Sequence, residues 1–447
     1  MKRKIYNRLK EWKMNRSHQE ALLIDGARRV GKSYIVKEFG QNEYRSYMLF
    51  DFSNISSDVL YLFDHYLTDL DTLFSRLTLL LGVSLYEHES LIIFDEVQNY
   101  PKIRQAIKHL VADGRYDYIE TGSLMSIHYN VKDILIPSEE VHINMYPMDF
   151  EEFLWAMGEE RLMDYVRECF SECKPLDVPL HRKMMEFVRL YTVIGGMPQA
   201  IQAYVDHKDF VEVDGIKRRI LTLYREDIQK YAFGQSERVT RIFDAIPGQL
   251  QCHEKKFKLV SLGHGSRMRS YENAFFWLQE SRVVNVCYNV TAPEVNLEMF
   301  RGDKFKLYLA DTGLLVSMAF QDRVEVREVY SKLLQGKLEM NKGMVMENMV
   351  AQMLVASGKR LFFFSSVSPT AEDRMEIDFL LRKSQLTSRH NIHPVEVKSA
   401  TRFRTTSLDK FCKKYVQRVA TSIVLSTENL RQDGNILYLP LYMTPLL

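Results

Sequence analysis

The stretch GARRVGKS, residues 26–33, constrains this chain more than any other. It fits G-x-x-x-x-G-K-[ST] at every fixed position. ALLIDG, residues 21–26, reads as a buried strand ending in glycine, and SYIVKEFG, residues 33–40, as a short helix closed by glycine. Glycines at 26 and 31 let the backbone curl until its N–H groups face inward at phosphate oxygens. The helix start offers its positive end to the same anion. Lys32 is placed to reach the outer phosphates and Ser33 to ligate Mg²⁺. Arg29 lies within the loop and is a further candidate phosphate contact, while Arg28 reads equally as solvated.

A strand before this turn and a helix after it predict a parallel α/β sheet, and the next residues agree. YMLFDFS (47–53), LIIFDE (91–96) and DYIETGS (117–123) are further apolar strands, separated by helical stretches that include 68–81 and 101–112. Asp95 ends a wholly apolar strand and is placed to hold Mg²⁺, and Glu96 to polarise an attacking water. Thr121 and Ser123 fall at the same ligand-facing edge of the sheet. Ser123 reads equally as a helix cap. The pattern predicts ATP and Mg²⁺ as cofactors.

Beyond MYPMDFEEFL (145–154) the pattern turns helical to residue 235, interrupted at VIGGMPQA (193–200). Helices at 240–251 and 270–280 precede two strand-like runs, VVNVCYNV and KFKLYLAD, an order that reads as a winged helix. Residues 321–340 read as a charged connector. A last unit begins with helix 341–356, then strands 360–365, 374–382 and 392–399, helix 405–418 and strand 421–426. This gives four expected divisions: 1–154, 155–235, 236–320 and 336–447.

The last unit carries a second candidate site. HPVEVKSA (393–400) alternates apolar residues with Glu396 and Lys398, and RMEIDFLL (374–381) places Asp378 on a polar strand face. Paired as a hairpin, the strands gather Asp378, Glu396 and Lys398, two hard carboxylates and a lysine suited to Mg²⁺ or Mn²⁺ and a phosphodiester. Glu347 lies on the apolar stripe of GMVMENMVAQML (343–354), where a carboxylate needs a partner: a metal or Lys398 would serve. The competing reading is a solvent-reaching Glu347 and an ordinary exposed ladder pair, Glu396–Lys398.

Composition sets limits. The 447 residues carry 60 Lys and Arg against 58 Asp and Glu, so any nucleic-acid contact must come from local patches. Two are visible: ten Lys or Arg against two acids between 379 and 420, and Lys255, Lys256, Lys258, Arg267 and Arg269. Five scattered cysteines make no zinc pattern and point to a reducing compartment. The basic start MKRKIYNRLKEWK lacks the apolar stretch of a signal peptide, and no apolar run approaches the ~18 residues of a membrane span. A cytoplasmic protein without a membrane partner is expected.

Taken together, GARRVGKS, LIIFDEVQ, the TGS strand end, YPMDFEEFL, IGGMPQA, FKLYLADTGLL and MEN…EIDFLL…PVEVKS make the chain resemble the prokaryotic AAA-type ATPases fused to a C-terminal domain of uncharacterised function. The resemblance implies an AAA+ or STAND-like P-loop core, a helical lid, a winged helix and a terminus similar to the PD-(D/E)xK restriction-endonuclease-like fold. It implies nucleotide binding by Gly26, Gly31, Lys32 and Ser33, hydrolysis through Asp95 and Glu96, and a nuclease-like set of Glu347, Asp378, Glu396 and Lys398. A Gly-Arg expected shortly before the YP-x-x-F motif is absent, since this chain reads LIPSEEVHINMYP. Two functions follow as expectations. One is an ATP-driven machine acting on DNA or RNA with a cutting terminus. The other is a nucleotide-switched regulator that binds a protein partner or a second copy of itself and keeps the terminus as a scaffold.

Overall fold

The computed structural model describes residues 1–122, 139–252, 255–262, 268–320, 326–335, 342–366, 370, 373–383, 385, 387, 389–400 and 402–447. Ser123 lies outside the described residues. The chain forms two compact units, 1–146 and 147–447.

In the first unit, α1 (Ile5–Asn15) buries Ile5, Leu9 and Trp12, the spacing read from the sequence. Five parallel strands follow: β1 (Ala21–Asp25), β2 (Ser46–Asp51), β3 (Ser90–Asp95), β4 (Asp117–Gly122) and β5 (Glu140–Asn144), in spatial order β2-β3-β4-β1-β5. Every residue of β1, β3 and β4 is buried, as strands covered on both faces must be. The crossovers are α2 (Lys32–Glu43), α3 (Ser57–Tyr66), α4 (Leu70–Leu81) and α5 (Lys102–Asp113). Leu23, Phe50, Ile92, Phe94 and Tyr118 on one sheet face pack with Phe63, Phe74, Leu77, Ile107 and Leu110 from the last three helices. The expected helix over 68–81 begins two residues later, because Asp69 caps it by accepting from the Thr72 N–H at 3.1 Å.

The second unit starts as read, with helices α6 (Phe150–Ala156), α7 (Leu162–Ser171), α8 (Val178–Ile194), α9 (Pro198–His207) and α10 (Phe210–Tyr231). YPMDFEEFL proves to be a helix start: Asp149 accepts from Glu152 N–H at 2.9 Å and Glu152 accepts from Asp149 N–H at 3.1 Å, a reciprocal cap. IGGMPQA and LADTGLL meet in space. Gly195 closes α8 with φ +84, and the Gly196 N–H donates to Asp311. Asp311 in turn caps α13 (Thr312–Ala319), accepting from Leu314 N–H at 2.8 Å.

Next come α11 (Ser236–Gln251), α12 (Glu272–Glu280), β6 (Val284–Val290) and β7 (Arg301–Leu309). The two strands pair antiparallel. The free edge of β6, however, pairs in parallel with β8 (Phe362–Ser366), giving a four-stranded sheet β7-β6-β8-β9 that ends on β9 (Met375–Ile377). Part of the expected connector is helical, α14 (Val326–Leu334); residues 321–325 and 336–341 lie outside the described residues. After α15 (Lys342–Ala356), the expected strand 374–382 divides at Asp378 into β9 and β10 (Phe379–Arg382). It divides because each half joins a different sheet. β10 pairs antiparallel with β11 (Ile392–Val397), the hairpin read from the sequence, within a second sheet β10-β11-β12-β14-β13. That sheet also holds β12 (Ser422–Ser426), β13 (Arg431–Asp433) and β14 (Ile436–Pro440), with α16 (Thr406–Lys414) packed on it through Leu408 and Phe411. No helix among the described residues is long and apolar enough to cross a membrane.

Candidate functional site

The phosphate loop joins β1 to α2 at the carboxyl edge of the parallel sheet, where strand order leaves room for a ligand. Gly31 has φ +100, a conformation glycine adopts without strain. At Gly26 a side chain has no space, since a Cβ would lie 2.2 Å from the Met145 carbonyl oxygen. Arg29 also has positive φ, +72, so its N–H turns with the glycines. The segment after β5 braces the loop: Met145 N–H donates to Asp25 C=O at 2.7 Å. Arg3 adds a brace the sequence did not announce. Its guanidinium donates to Val30 C=O at 2.8 Å and to Tyr146 C=O at 2.7 Å.

Lys32 is buried, and its ammonium donates to the carbonyls of Gly26 at 2.8 Å and Ala27 at 3.1 Å. The cation is thus held across the mouth of its own loop. Ser33 Oγ donates to Asp95 Oδ1 at 3.0 Å. Thr121 Oγ1 donates to the same oxygen and accepts from Glu96 N–H at 3.4 Å. Because β4 lies between β1 and β3, Thr121 stands where the loop and the Asp95 strand converge. Burial raises the Asp95 pKa, against the bonds from Thr121 and Ser33. A carboxylate costly to ionise beside a serine hydroxyl suits a divalent cation, which would restore its charge. Glu96 follows with φ +56, uncommon outside glycine, and its carboxylate accepts from the Gln98 side-chain amide. Gln98 is a buried residue that the sequence reading passed over.

The terminal set is also brought together, with different partners. Glu347 is 1% exposed and does not pair with Lys398. It accepts from Lys255, from Lys306 at 3.1 Å and from the Tyr308 hydroxyl. Burial alone would raise its pKa; Lys306 and Lys255 outweigh that and bring it down to about 2. Lys306 lies 3.0 Å from Glu376 and 3.7 Å from Asp378 as well. Asp378 sits at the strand division and accepts from Val397 N–H at 2.9 Å. Lys398 pairs with Glu396 at 2.5 Å. Glu396 is 2% exposed, so the exposed-ladder reading fails, and burial pushes its pKa up to about 7 against Lys398. Lys255 and Lys256, counted above in a basic patch, both face carboxylates. Among the described residues no group of three or more His, Cys, Asp or Glu is arranged to hold a metal ion. Lys306 was visible only as a lysine alternating with Phe305 and Leu307 in a strand.

Three family models match the chain. Residues 18–154 match an AAA domain, residues 185–325 a domain of unknown function (DUF8612) and residues 342–443 another (DUF4143). A search of curated proteins found no match. Among solved structures, one similar chain is a Signal Transduction ATPase with Numerous Domains (STAND) protein with a tetratricopeptide repeat sensor from Pyrococcus horikoshii. It is 11% identical over 80% of this chain, with TM-score 0.29, and this chain spans 49% of its length. Cdc6p from Pyrobaculum aerophilum is 14% identical over 74% of this chain and 92% of its own, with TM-score 0.23. These likenesses are too distant to assign anything; the assignment rests on the family match and the loop geometry. Residues 18–154 form a P-loop ATPase domain of the AAA type, built to take ATP with a divalent cation.

Proposed function

We propose that the chain hydrolyses ATP·Mg²⁺ at the loop 26–33 and uses the cycle to change the conformation of the remaining chain. The observation that carries this is the convergence of Ser33 and Thr121 on Asp95, with Lys32 buried in the adjoining loop. The backbone N–H groups of the loop and Lys32 would bind the phosphates, and Ser33 and Asp95 would hold Mg²⁺, which neutralises charge developing on the phosphoryl oxygens. Glu96 would orient and deprotonate the attacking water, with Gln98 fixing its carboxylate. Steady-state phosphate release tests the reading: Lys32→Ala should lose turnover, and Glu96→Gln should lose turnover while still binding nucleotide. Wild-type turnover in Lys32→Ala would refute it.

Two outputs are consistent with such a motor. In the first, the region 236–320 acts as a winged helix on DNA or RNA, and Asp378, Glu396, Glu347 and Lys398 cut it. In the second, the chain is a STAND-like switch that binds a protein partner and keeps the nuclease-like terminus as a scaffold. The ion-paired state of the terminal carboxylates supports the second. A steep fall of nucleic-acid affinity with salt, together with Mg²⁺-dependent nicking, would favour the first. ATP-dependent oligomerisation without either would favour the second.

A further inference from the structure

Glu347, Glu376, Asp378 and Glu396 offer hard oxygens of the kind that a divalent cation bridges. Around them stand four ammonium groups. Lys306, from the middle of β7, reaches three of the carboxylates: Glu376 at 3.0 Å, Glu347 at 3.1 Å and Asp378 at 3.7 Å. Lys255 takes the other oxygen of Glu347. Lys256 lies 3.3 Å from the second oxygen of Glu376, and Lys398 lies 2.5 Å from Glu396. Four formal negative charges therefore meet four positive ones.

A divalent cation bridging these carboxylates would have to displace Lys306. That side chain has no exposed surface, and an ammonium stripped of its partners in the interior is strongly unfavourable. The amines are also delivered by fixed elements. Lys306 is two residues from Tyr308, whose hydroxyl bonds Glu347, and the adjoining Leu309 N–H donates to Asn348 at 2.8 Å. Three residues on, Thr312 N–H and Oγ1 each donate to Gln352 Oε1 at 2.8 Å. Residues 306–312 thus run along α15 bond by bond. The residues present do not fit a metal centre.

We infer that this cluster is a lysine-neutralised latch: Lys306 supplies the charge that a divalent cation supplies in a metal-bound carboxylate set, and locks the β6–β7 hairpin to α15, β9 and the Asp378 bend. It follows that the terminal region cuts no phosphodiester through a metal held here. The inference is independent of nucleotide binding at the loop 26–33 and stands or falls separately from it.

Titration calorimetry of the full chain with Mn²⁺, without nucleotide, tests it. Wild type and Asp378→Asn should give superimposable isotherms. A wild-type Mn²⁺ site that Asp378→Asn weakens tenfold or more overturns the inference. Thermal melts give a second arm. Lys306→Met should melt below wild type in EDTA and regain part of the loss in millimolar Mn²⁺, to which wild type should not respond. Should Lys306→Met fail to fold, Lys306→Met/Glu347→Gln, which removes one charge of each sign, should restore folding. A double variant no more stable than Lys306→Met overturns the pairing.

Discussion

Glu96 and Gln98 show how a few atoms set the position of a side chain in the first unit. A non-glycine residue at positive φ costs on the order of 1 kcal/mol, and here it turns the Glu96 carboxylate toward the Gln98 amide. Gln98→Ala should lower kcat by roughly 10-fold or more while leaving the nucleotide Kd within about twofold, measured by phosphate release and fluorescent-nucleotide titration. A matching loss of affinity would show that Gln98 merely holds the loop together. Glu396 gives a prediction in pH. Its folded pKa, about 7, lies above its ordinary 4.5, so the folded state binds the extra proton between those values. Its contribution is full below pH 4.5 and is lost as pH rises through 7, a change on the order of 3 kcal/mol at ~1.4 kcal/mol per unit. Glu396→Gln should therefore gain stability relative to wild type between pH 4.5 and 8 in urea titrations. A constant difference across that range would contradict the buried position of the carboxylate. At this scale the sequence showed which groups were anomalous but not what they touch. Glu347 stood out on an apolar stripe, yet its partners Lys306 and Lys255 are 41 and 92 residues away.

Elements were legible where periodicity was strong and flanked by caps. β3 and α5 fall within a residue of their expected ends, because apolar runs are local signals. By contrast, α2 runs through Gly40, read as its stop, to Glu43: that glycine lies inside the helix, where a Cβ would come 3.1 Å from Tyr47. The strand over 374–382 was misread because alternation continues through Asp378, while pairing changes there from one sheet to another. Pairing is a long-range property that no local pattern carries. The two shared motifs around Gly195 and Asp311 had no local meaning either; together they form one junction. Gly158 and Gly195 both have φ +84, and Gly195 adds ψ −168, a conformation essentially reserved for glycine. A Cβ at Gly158 meets nothing within 4 Å, whereas at Gly195 it would lie 2.3 Å from an Asp311 oxygen. Gly158→Ala should cost about 1 kcal/mol and Gly195→Ala at least twice that in chemical denaturation. Equal losses would contradict the crowding of Gly195 against Asp311.

At the scale of the whole molecule, the family boundaries and the physical units differ. The matches at 185–325 and 342–443 both fall in the unit 147–447, whose sheet β7-β6-β8-β9 takes two strands from each region. Val290 and Leu297 share a core with Phe364, Met375, Leu408 and Val424. A fragment 336–447 lacks the β6 edge and Lys306, so it should give the poorly dispersed amide spectrum of an unfolded chain, whereas 147–447 should fold. A well-folded 336–447 would contradict the shared core. The four divisions expected from the helix and strand pattern rest on local signals, and a strand added across a helix and a connector leaves no mark in either segment.

The proposed cycle depends on the grip of the 26–33 loop on a triphosphate. Calorimetric titration of the full chain with a slowly hydrolysed ATP analogue and Mg²⁺ measures this most directly. One site per chain is expected, retained in Glu96→Gln and weakened at least 100-fold in Lys32→Ala. Equal affinity in wild type and Lys32→Ala, or no binding to wild type, would contradict it.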